Sequence, residues 1–240
     1  MDYKEFKDFF IKELNENKLE VYSDEIIKKF YNYMVAILEW NEKINLTAIK
    51  EPKEFIVKHF IDSLTISRLV ADKKRIIDIG TGAGFPGVPL KIVNEELDVT
   101  LVDSVNKKLN VIKDAATKSN ITGLNIVHSR IEDLANQQEY REKFDVVTSR
   151  ALANMSTLVE YTIPFLKKGG VAICMKGPNF KDELEDAKNA IRILGGELVS
   201  IESLNVGEEY ERNIIIIKKV KNTPKAYPRA NGKPLKEPIK

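Results

Sequence analysis

The residues best suited to chemistry gather in one stretch, RIIDIGTGAGFPG, residues 75–87. An apolar run ends in an acid, Asp78, and glycines follow at 80, 82, 84 and 87. Leu90, Ile92 and Val93 then recur at helical spacing. This pattern predicts a strand, a glycine loop and a helix. Glycines carry no Cβ, so the loop lets backbone come close to a ligand. The helix start adds free N–H groups and the positive end of a dipole. Further acids and bases stand at comparable places. Asp103 closes a second apolar run, where a carboxylate can take two ribose hydroxyls. Ile131 and Glu132 follow a third run, and Arg130 and Arg150 stand just past strand-length runs. Arginine at such a position suits phosphates or the O6 edge of guanine. The two histidines, His59 and His128, form no obvious general-base grouping.

The loop admits more than one reading. Gly82, Gly84 and Gly87 fit the dinucleotide fingerprint G-x-G-x-x-G, with Asp103 about twenty residues on. Two features oppose this. The fingerprint starts close to the strand end, whereas Asp78-Ile-Gly80-Thr-Gly82 comes first here. Pro86 also lacks the N–H that a pyrophosphate site would use. The pattern acid-x-Gly-x-Gly-x-Gly fits Asp78, Gly80, Gly82 and Gly84 without adjustment. It resembles the first motif of class I S-adenosylmethionine-dependent methyltransferases, in which the acid faces the cofactor's amino group. A glycine-rich turn with no ligand is the remaining reading.

The elements that must hold these residues follow from composition and period. The chain has 240 residues, 43% hydrophobic and 31% charged, which suits one large domain with a helical appendage. No apolar run approaches the roughly 20 residues a membrane helix needs. The start, MDYKEFKDFFIKEL, mixes acids and lysines unlike a signal peptide. Cys174 is the single cysteine, which excludes an internal disulfide and a cysteine-based metal cluster. A reduced, cytoplasmic setting is the expectation. Residues 1–70 read as a helical cap. Tyr3, Phe6, Phe10 and Leu14 share one helix face, and Ser23 caps a second helix that ends near Trp40. Asn41–Ile49 is loop-like, and Pro52 opens a third helix with Phe55, Phe60 and Leu64 inward.

From residue 75 the period changes. Strand-length apolar runs at 75–79, 99–102, 124–127, 144–148 and 171–175 alternate with helical patterns. Such alternation predicts a parallel doubly wound α/β sheet. Gly169-Gly170 and Gly195-Gly196 read as helix ends. Runs 198–204 and 213–217 have a link too short for a parallel crossover and should form an antiparallel edge pair. A seven-stranded sheet with one reversed strand is the class I methyltransferase arrangement. Residues 71–220 are therefore expected to be one Rossmann-like domain. Residues 221–240 read as an extended basic tail, rich in lysine and proline.

The ordered set WNEKINLTAI (40–49), HFIDSL (59–64), DIGTGAGFPGVPLKI (78–92), LVDSVNKKLNVI (101–112), HSRIEDL (128–134), SRALA (149–153), MKG (175–177) and TPKAYPR (223–229) spans the chain. Together these segments resemble the family of small-subunit ribosomal RNA guanine-N7 methyltransferases, also known as glucose-inhibited division protein B. The resemblance implies methyl transfer from S-adenosyl-L-methionine to N7 of one guanine in 16S ribosomal RNA, within a small-subunit particle. S-adenosyl-L-homocysteine would be the product, and the protein would act as a monomer. Asp78, Gly80, Gly82, Gly84, Phe85, Asp103, Ile131, Glu132 and Arg150 would form the cofactor site. Asp78 would meet the ammonium of the methionine part, and Ile131 and Glu132 the adenine. Phe85 could line the cofactor or belong to the core. Asn41, His59, Arg130, Lys176, Lys225 and Arg229 would contact RNA. N7 carries a lone pair and no proton, so no general base and no metal are expected. Arg130 and Arg150 would position the reactants, holding phosphate, O6 or the cofactor carboxylate. A bidentate grip on O6 and N7 would block the nucleophile. Two other functions remain open at this level: a nicotinamide-dependent oxidoreductase, and a ribosome-binding protein that has lost the chemistry.

Overall fold

The apolar runs become strands β1 (Arg75–Ile79), β2 (Asp98–Asp103), β3 (Leu124–His128), β4 (Phe144–Arg150), β5 (Leu166–Lys176), β6 (Gly196–Val206) and β7 (Tyr210–Lys219). The structure is a computed structural model that describes residues 1–72, 75–207, 210–230 and 232–239. Among the described residues the strands form one sheet in the order β3-β2-β1-β4-β5-β7-β6. β7 runs antiparallel to both β5 and β6, and the other pairings are parallel. The expected edge pair is therefore present. The strand order reverses between β1 and β4, and the carboxyl ends of strands at such a switch point form a crevice.

Helices cover both faces. On one side lie α1 (Tyr3–Glu16), α2 (Asp24–Asn41), α3 (Pro52–Phe55) and a π-helical stretch, Ile56–Ile61. With them pack α4 (Asp62–Leu64), α5 (Ser67–Val70), α6 (Gly87–Val93) and α7 (Asn106–Lys118). On the other side lie α8 (Ile131–Ala135), α9 (Met155–Thr162) and α10 (Lys181–Ile193). Alternate strand residues feed the two cores: Ile76, Leu101 and Ile173 point one way, Ile77, Val102 and Cys174 the other. Start signals work as expected. Ser23 accepts from the Ile26 N–H, and Pro52 opens its helix; a capping box of Asp2 and Glu5, which sequence reading missed, starts α1. The N-terminal helices share one core with the sheet, where Phe6 stacks on Phe10, and Phe30 and Phe60 meet them edge to face or tilted. Trp40 lies half-buried, its indole N–H 2.6 Å from Asp114 Oδ2.

Two expectations need correction. Gly169 and Gly170 do not end a helix; they lie inside β5, where its register against β4 shifts between Phe144 and Val146. The basic tail is not an extended arm. Lys219 is fully buried, its ammonium 2.7 Å from Glu142 and 3.1 Å from the Ile163 carbonyl. Thr223 Oγ1 donates to the Leu194 carbonyl at 2.8 Å. The Arg141 guanidinium donates to the Thr223 and Tyr227 carbonyls at 3.0 and 2.8 Å. Arg229 grips Glu160, which is fully buried, with contacts as short as 2.7 Å. The segment then ends in a short helix, α11 (Lys233–Lys236), packed beside α9. Composition counted the charges of this segment but not their partners. Lys240, counted with the basic tail, lies outside the described residues.

Candidate active site

A cavity of about 370 Å³ opens at the carboxyl ends of β1 to β4. Each strand delivers its wall from the turn that follows it. Gly80 comes after β1, Asp103 and Ser104 end β2, Arg130, Ile131 and Glu132 follow β3, and Ala151, Leu152 and Ala153 follow β4. Val105, Lys108, Tyr161 and Leu235 complete the lining. The size falls within the range of small-molecule sites, about 300–1,000 Å³.

The glycine loop is built to leave backbone bare. Gly82 sits at φ +60, and a Cβ placed there would meet no atom within 4 Å. Gly80, at φ +66, touches the opposite wall, since a Cβ there would lie 2.5 Å from Leu152. Asp103 ties the loop to β2: its Oδ2 accepts from the Gly82 N–H at 3.0 Å and its Oδ1 from the Val105 N–H at 2.9 Å. Each oxygen keeps a second lone pair for a ligand hydroxyl. Glu132 is buried, and its Oε1 accepts from the Gly232 N–H at 3.1 Å and lies 3.5 Å from both the Tyr161 hydroxyl and the Arg130 guanidinium. Burial and the neighbouring Glu132 push the Tyr161 phenol up to about 12, so it stays a neutral donor. The carboxylates of Asp103 and Glu132, beside the bare backbone at Gly82, suit a ligand that presents hydroxyl groups.

Five of the residues expected at the cofactor thus meet in one cavity wall or in the loop beside it: Gly80, Gly82, Asp103, Ile131 and Glu132. Others do not. Asp78 is fully buried and does not open into the cavity. Its carboxylate accepts from the Thr81 hydroxyl at 2.6 Å, the Thr148 hydroxyl at 3.0 Å and the Gly87 N–H at 3.1 Å. It shapes the loop rather than meeting an ammonium. Burial raises its pKa to about 6, with these hydrogen bonds working the other way. Gly84 packs against Tyr33 and Val88. Phe85 belongs to the core: it stacks on His59 at 4.5 Å and meets Tyr33, Phe55 and Phe60 edge on.

Arg150 also turns inward. Its guanidinium donates to Asp62 Oδ2 at 2.8 Å, to the Lys58 carbonyl at 2.8 Å and to His59 Nδ1 at 3.0 Å, and lies over the Phe85 ring. Since guanidinium only donates, His59 Nδ1 is an acceptor and its Nε2–H faces Thr47 Oγ1 at 3.0 Å. Burial holds the His59 pKa down to about 3, helped by the Arg150 charge, so the ring is neutral. His59 therefore has no free edge for RNA. Asn41 is likewise buried, closing the 42–47 loop through the Leu46 and Thr47 N–H groups and the Thr47 carbonyl. Lys176 donates to the Ala153 carbonyl at 2.9 Å and pairs with Glu183 at 2.6 Å. Arg229 is held by Glu160 as described. Of the six residues expected at RNA, Arg130 and Lys225 are exposed, Arg130 at the mouth of the cavity.

Sequence reading missed Arg212, whose guanidinium grips Asp62 from the other side at 2.6 and 3.0 Å. A charge heading a run of four isoleucines was the available signal. It also missed Leu235, whose signal was one apolar residue among lysines and prolines.

A family model described as rRNA small subunit methyltransferase G matches residues 26–215. The ribosomal RNA small subunit methyltransferase G of Desulfitobacterium hafniense is 48% identical over 218 residues, covering 90% of this chain and 91% of its own. That of Lactobacillus acidophilus is 45% identical over 235 residues, covering 96% and 98%. Among solved structures, M. capricolum TrmK in complex with S-adenosylhomocysteine is similar, with a TM-score of 0.53 at 16% identity over 74% of each chain. A SAM-dependent O-methyltransferase of Thermotoga maritima reaches 0.52 at 16% identity, over 78% of this chain and 72% of its own. These two share the fold. With the family model and the full-length relatives agreeing along the sequence, the chain belongs to the ribosomal RNA small subunit methyltransferase G family.

Proposed function

We infer that the cavity at the ends of β1 to β4 receives the methyl donor, with the target guanine entering beside Arg130. The chain is an S-adenosylmethionine-dependent methyltransferase of 16S ribosomal RNA, as its family is, and acts on guanine N7. The observation that carries the site is the meeting of Gly80, Asp103 and Glu132 in one cavity, from turns more than twenty residues apart in sequence. Asp103 would take the ribose hydroxyls with its free lone pairs, the bare backbone at Gly82 would lie along the methionine part, and Ile131 would flank the purine. When bound, S-adenosylmethionine supplies a methyl group on a positively charged sulfur, which the N7 lone pair takes up while the carbon–sulfur electrons return to sulfur. N7 has no proton to lose, so the chain's residues need only orient, in line, a nucleophile and a methyl. Such positioning is worth up to about 7–11 kcal/mol in favourable cases.

Arg130, exposed and 3.5 Å from Glu132, is placed to hold a phosphate or the guanine O6 at the cavity mouth. Lys225 would add phosphate contact. Arg150 and Asp78 act from behind, by fixing the loop and the aromatic layer under it. The substrate we favour is a small-subunit particle in the cytoplasm, met by a monomer. The test is transfer of labelled methyl to naked 16S RNA and to small-subunit particles, with mapping of the modified base. Label on no guanine N7 would refute the reading. Binding of NAD in place of S-adenosylhomocysteine would favour an oxidoreductase instead.

A further inference from the structure

We propose that the segment Gly232–Glu237 is part of the cofactor site, and that Leu235 positions the purine of the bound donor. The proposal rests on the reading above, and it assigns to the C-terminal segment a role other than RNA attraction.

Leu235 is 62% exposed, although it stands on a helix packed against the molecule. An exposed leucine alone means little. Here it lines the cavity together with Ile131 and Leu152, and Val105, 43% exposed, lines the same space. Two uncovered aliphatic side chains therefore line a cavity that also holds the carboxylates of Asp103 and Glu132, beside Lys108, Arg130 and Tyr161. A flat heteroaromatic ring with hydroxyls on its sugar meets both requirements: aliphatic faces for the base, acceptors for the ribose.

The segment is held where it is by contacts that reach the cavity. The Gly232 N–H donates to Glu132 at 3.1 Å. Thr157 Oγ1 donates to the Pro234 carbonyl at 3.0 Å, and Arg229 is anchored on Glu160. One residue, Glu132, thus links the tail backbone to the wall that Ile131 forms. The tail fixes the orientation of a carboxylate at the base edge and supplies a side chain over its face. A mobile phosphate-binding arm would need neither contact.

The experiment is calorimetric titration of wild type, Leu235→Ala and Leu235→Asp with S-adenosylhomocysteine and with 5′-methylthioadenosine, which keeps the purine end and lacks the amino acid. Leu235 is exposed, so neither variant leaves a cavity in the core, and thermal unfolding without ligand checks this. Leu235→Ala should weaken both ligands by the same factor, about five- to tenfold from the apolar area uncovered, and Leu235→Asp by more. Equal affinity of wild type and both variants would overturn the proposal and leave the methyltransferase reading standing. Failure of the wild type to bind S-adenosylhomocysteine would instead overturn that reading. A loss of RNA affinity with unchanged ligand affinity would place Leu235 on the RNA surface and refute its role here. As a second measurement, the Leu235 and Lys236 amides, which donate to the Gly232 carbonyl, should exchange more slowly with S-adenosylhomocysteine present. Unchanged exchange at saturating ligand would count against the proposal equally.

Discussion

Replacing Asp62 by Asn should be among the most damaging single-atom changes available in this chain. The Asp62 carboxylate is fully buried and accepts three N–H groups: Arg212 Nε at 2.6 Å, Arg212 Nη2 at 3.0 Å and Arg150 Nη1 at 2.8 Å. Both guanidiniums are themselves largely buried, at 8% and 11% side-chain exposure. Asparagine keeps the shape but removes the charge, leaving two cations with no anion between them. Its amide also turns one acceptor into a donor. If the oxygen stays on the side of Arg212 Nη2 and Arg150 Nη1, the new NH₂ faces Arg212 Nε–H at hydrogen-bond distance. A charge-assisted bond is worth about 1.5–3 kcal/mol, and breaking a buried pair costs about 3–5 kcal/mol. We expect the latter range. For a domain of this size each kcal/mol lowers Tm by about 2–4 °C, so Tm should fall by roughly 6–20 °C. Screening barely reaches a buried pair, so the loss should persist at high salt. Thermal and urea unfolding of wild type, Asp62→Asn and Arg212→Met measure it. A loss below about 1 kcal/mol would show that water enters the network and that these charges are not isolated.

Other expectations concern neighbouring groups. Between pH 6.5 and about 3 the unfolded chain protonates His59 while the folded chain does not, so this residue lowers stability by about 1.4 kcal/mol per pH unit as pH falls. Asp78, raised to about 6, acts in the opposite sense between 6 and its ordinary 3.8, so the informative quantity is the difference between wild type and His59→Gln; parallel Tm-against-pH curves would contradict a neutral buried His59. Asp103→Asn should weaken S-adenosylhomocysteine by about 1–3 kcal/mol in calorimetry and leave RNA affinity almost unchanged, and the reverse pattern would move Asp103 out of the cofactor site. Arg229→Ala strands the buried Glu160 and should cost about 3–5 kcal/mol of stability; an unfolding midpoint equal to wild type would mean that Glu160 finds another partner. Arg130→Ala should reduce the slope of log RNA affinity against log salt by about one, with Tm unchanged; a full slope would remove Arg130 from the phosphate contacts.

Periodicity carried the sheet. Apolar runs of strand length, alternating with helical spacing, lead to one topology once the last two runs are too close for a crossover. The cavity followed, because Gly80, Asp103, Arg130 and Glu132 each stand at the end of a run, and the topology brings such ends together. Direction was not legible. Arg150 also stands at a strand end, yet its partner, Asp62, is 88 residues away and draws it to the opposite side of the sheet. Asp78 leads the glycine motif, but Thr148, 70 residues on, helps close its carboxylate away from the ligand. Arg229 reads as a free cation until Glu160, 69 residues earlier, is placed beside it. A sequence shows a charge and its neighbours in the chain. Whether that charge faces water or a buried partner depends on contacts that only the fold creates.

The path of the C-terminal segment has a consequence for synthesis. It leaves β7 near Gly195, passes α10 and α9, and ends against Glu132 with Leu235 in the cavity wall. A chain grows from its N-terminus, and early parts can fold while later parts are still being made. All seven strands precede this segment. A chain that has made its seven strands can therefore pair its sheet and still lack the last wall of its cavity. Competence to hold a small molecule would then wait for residues 220–237 to be made and docked against α9 and Glu132.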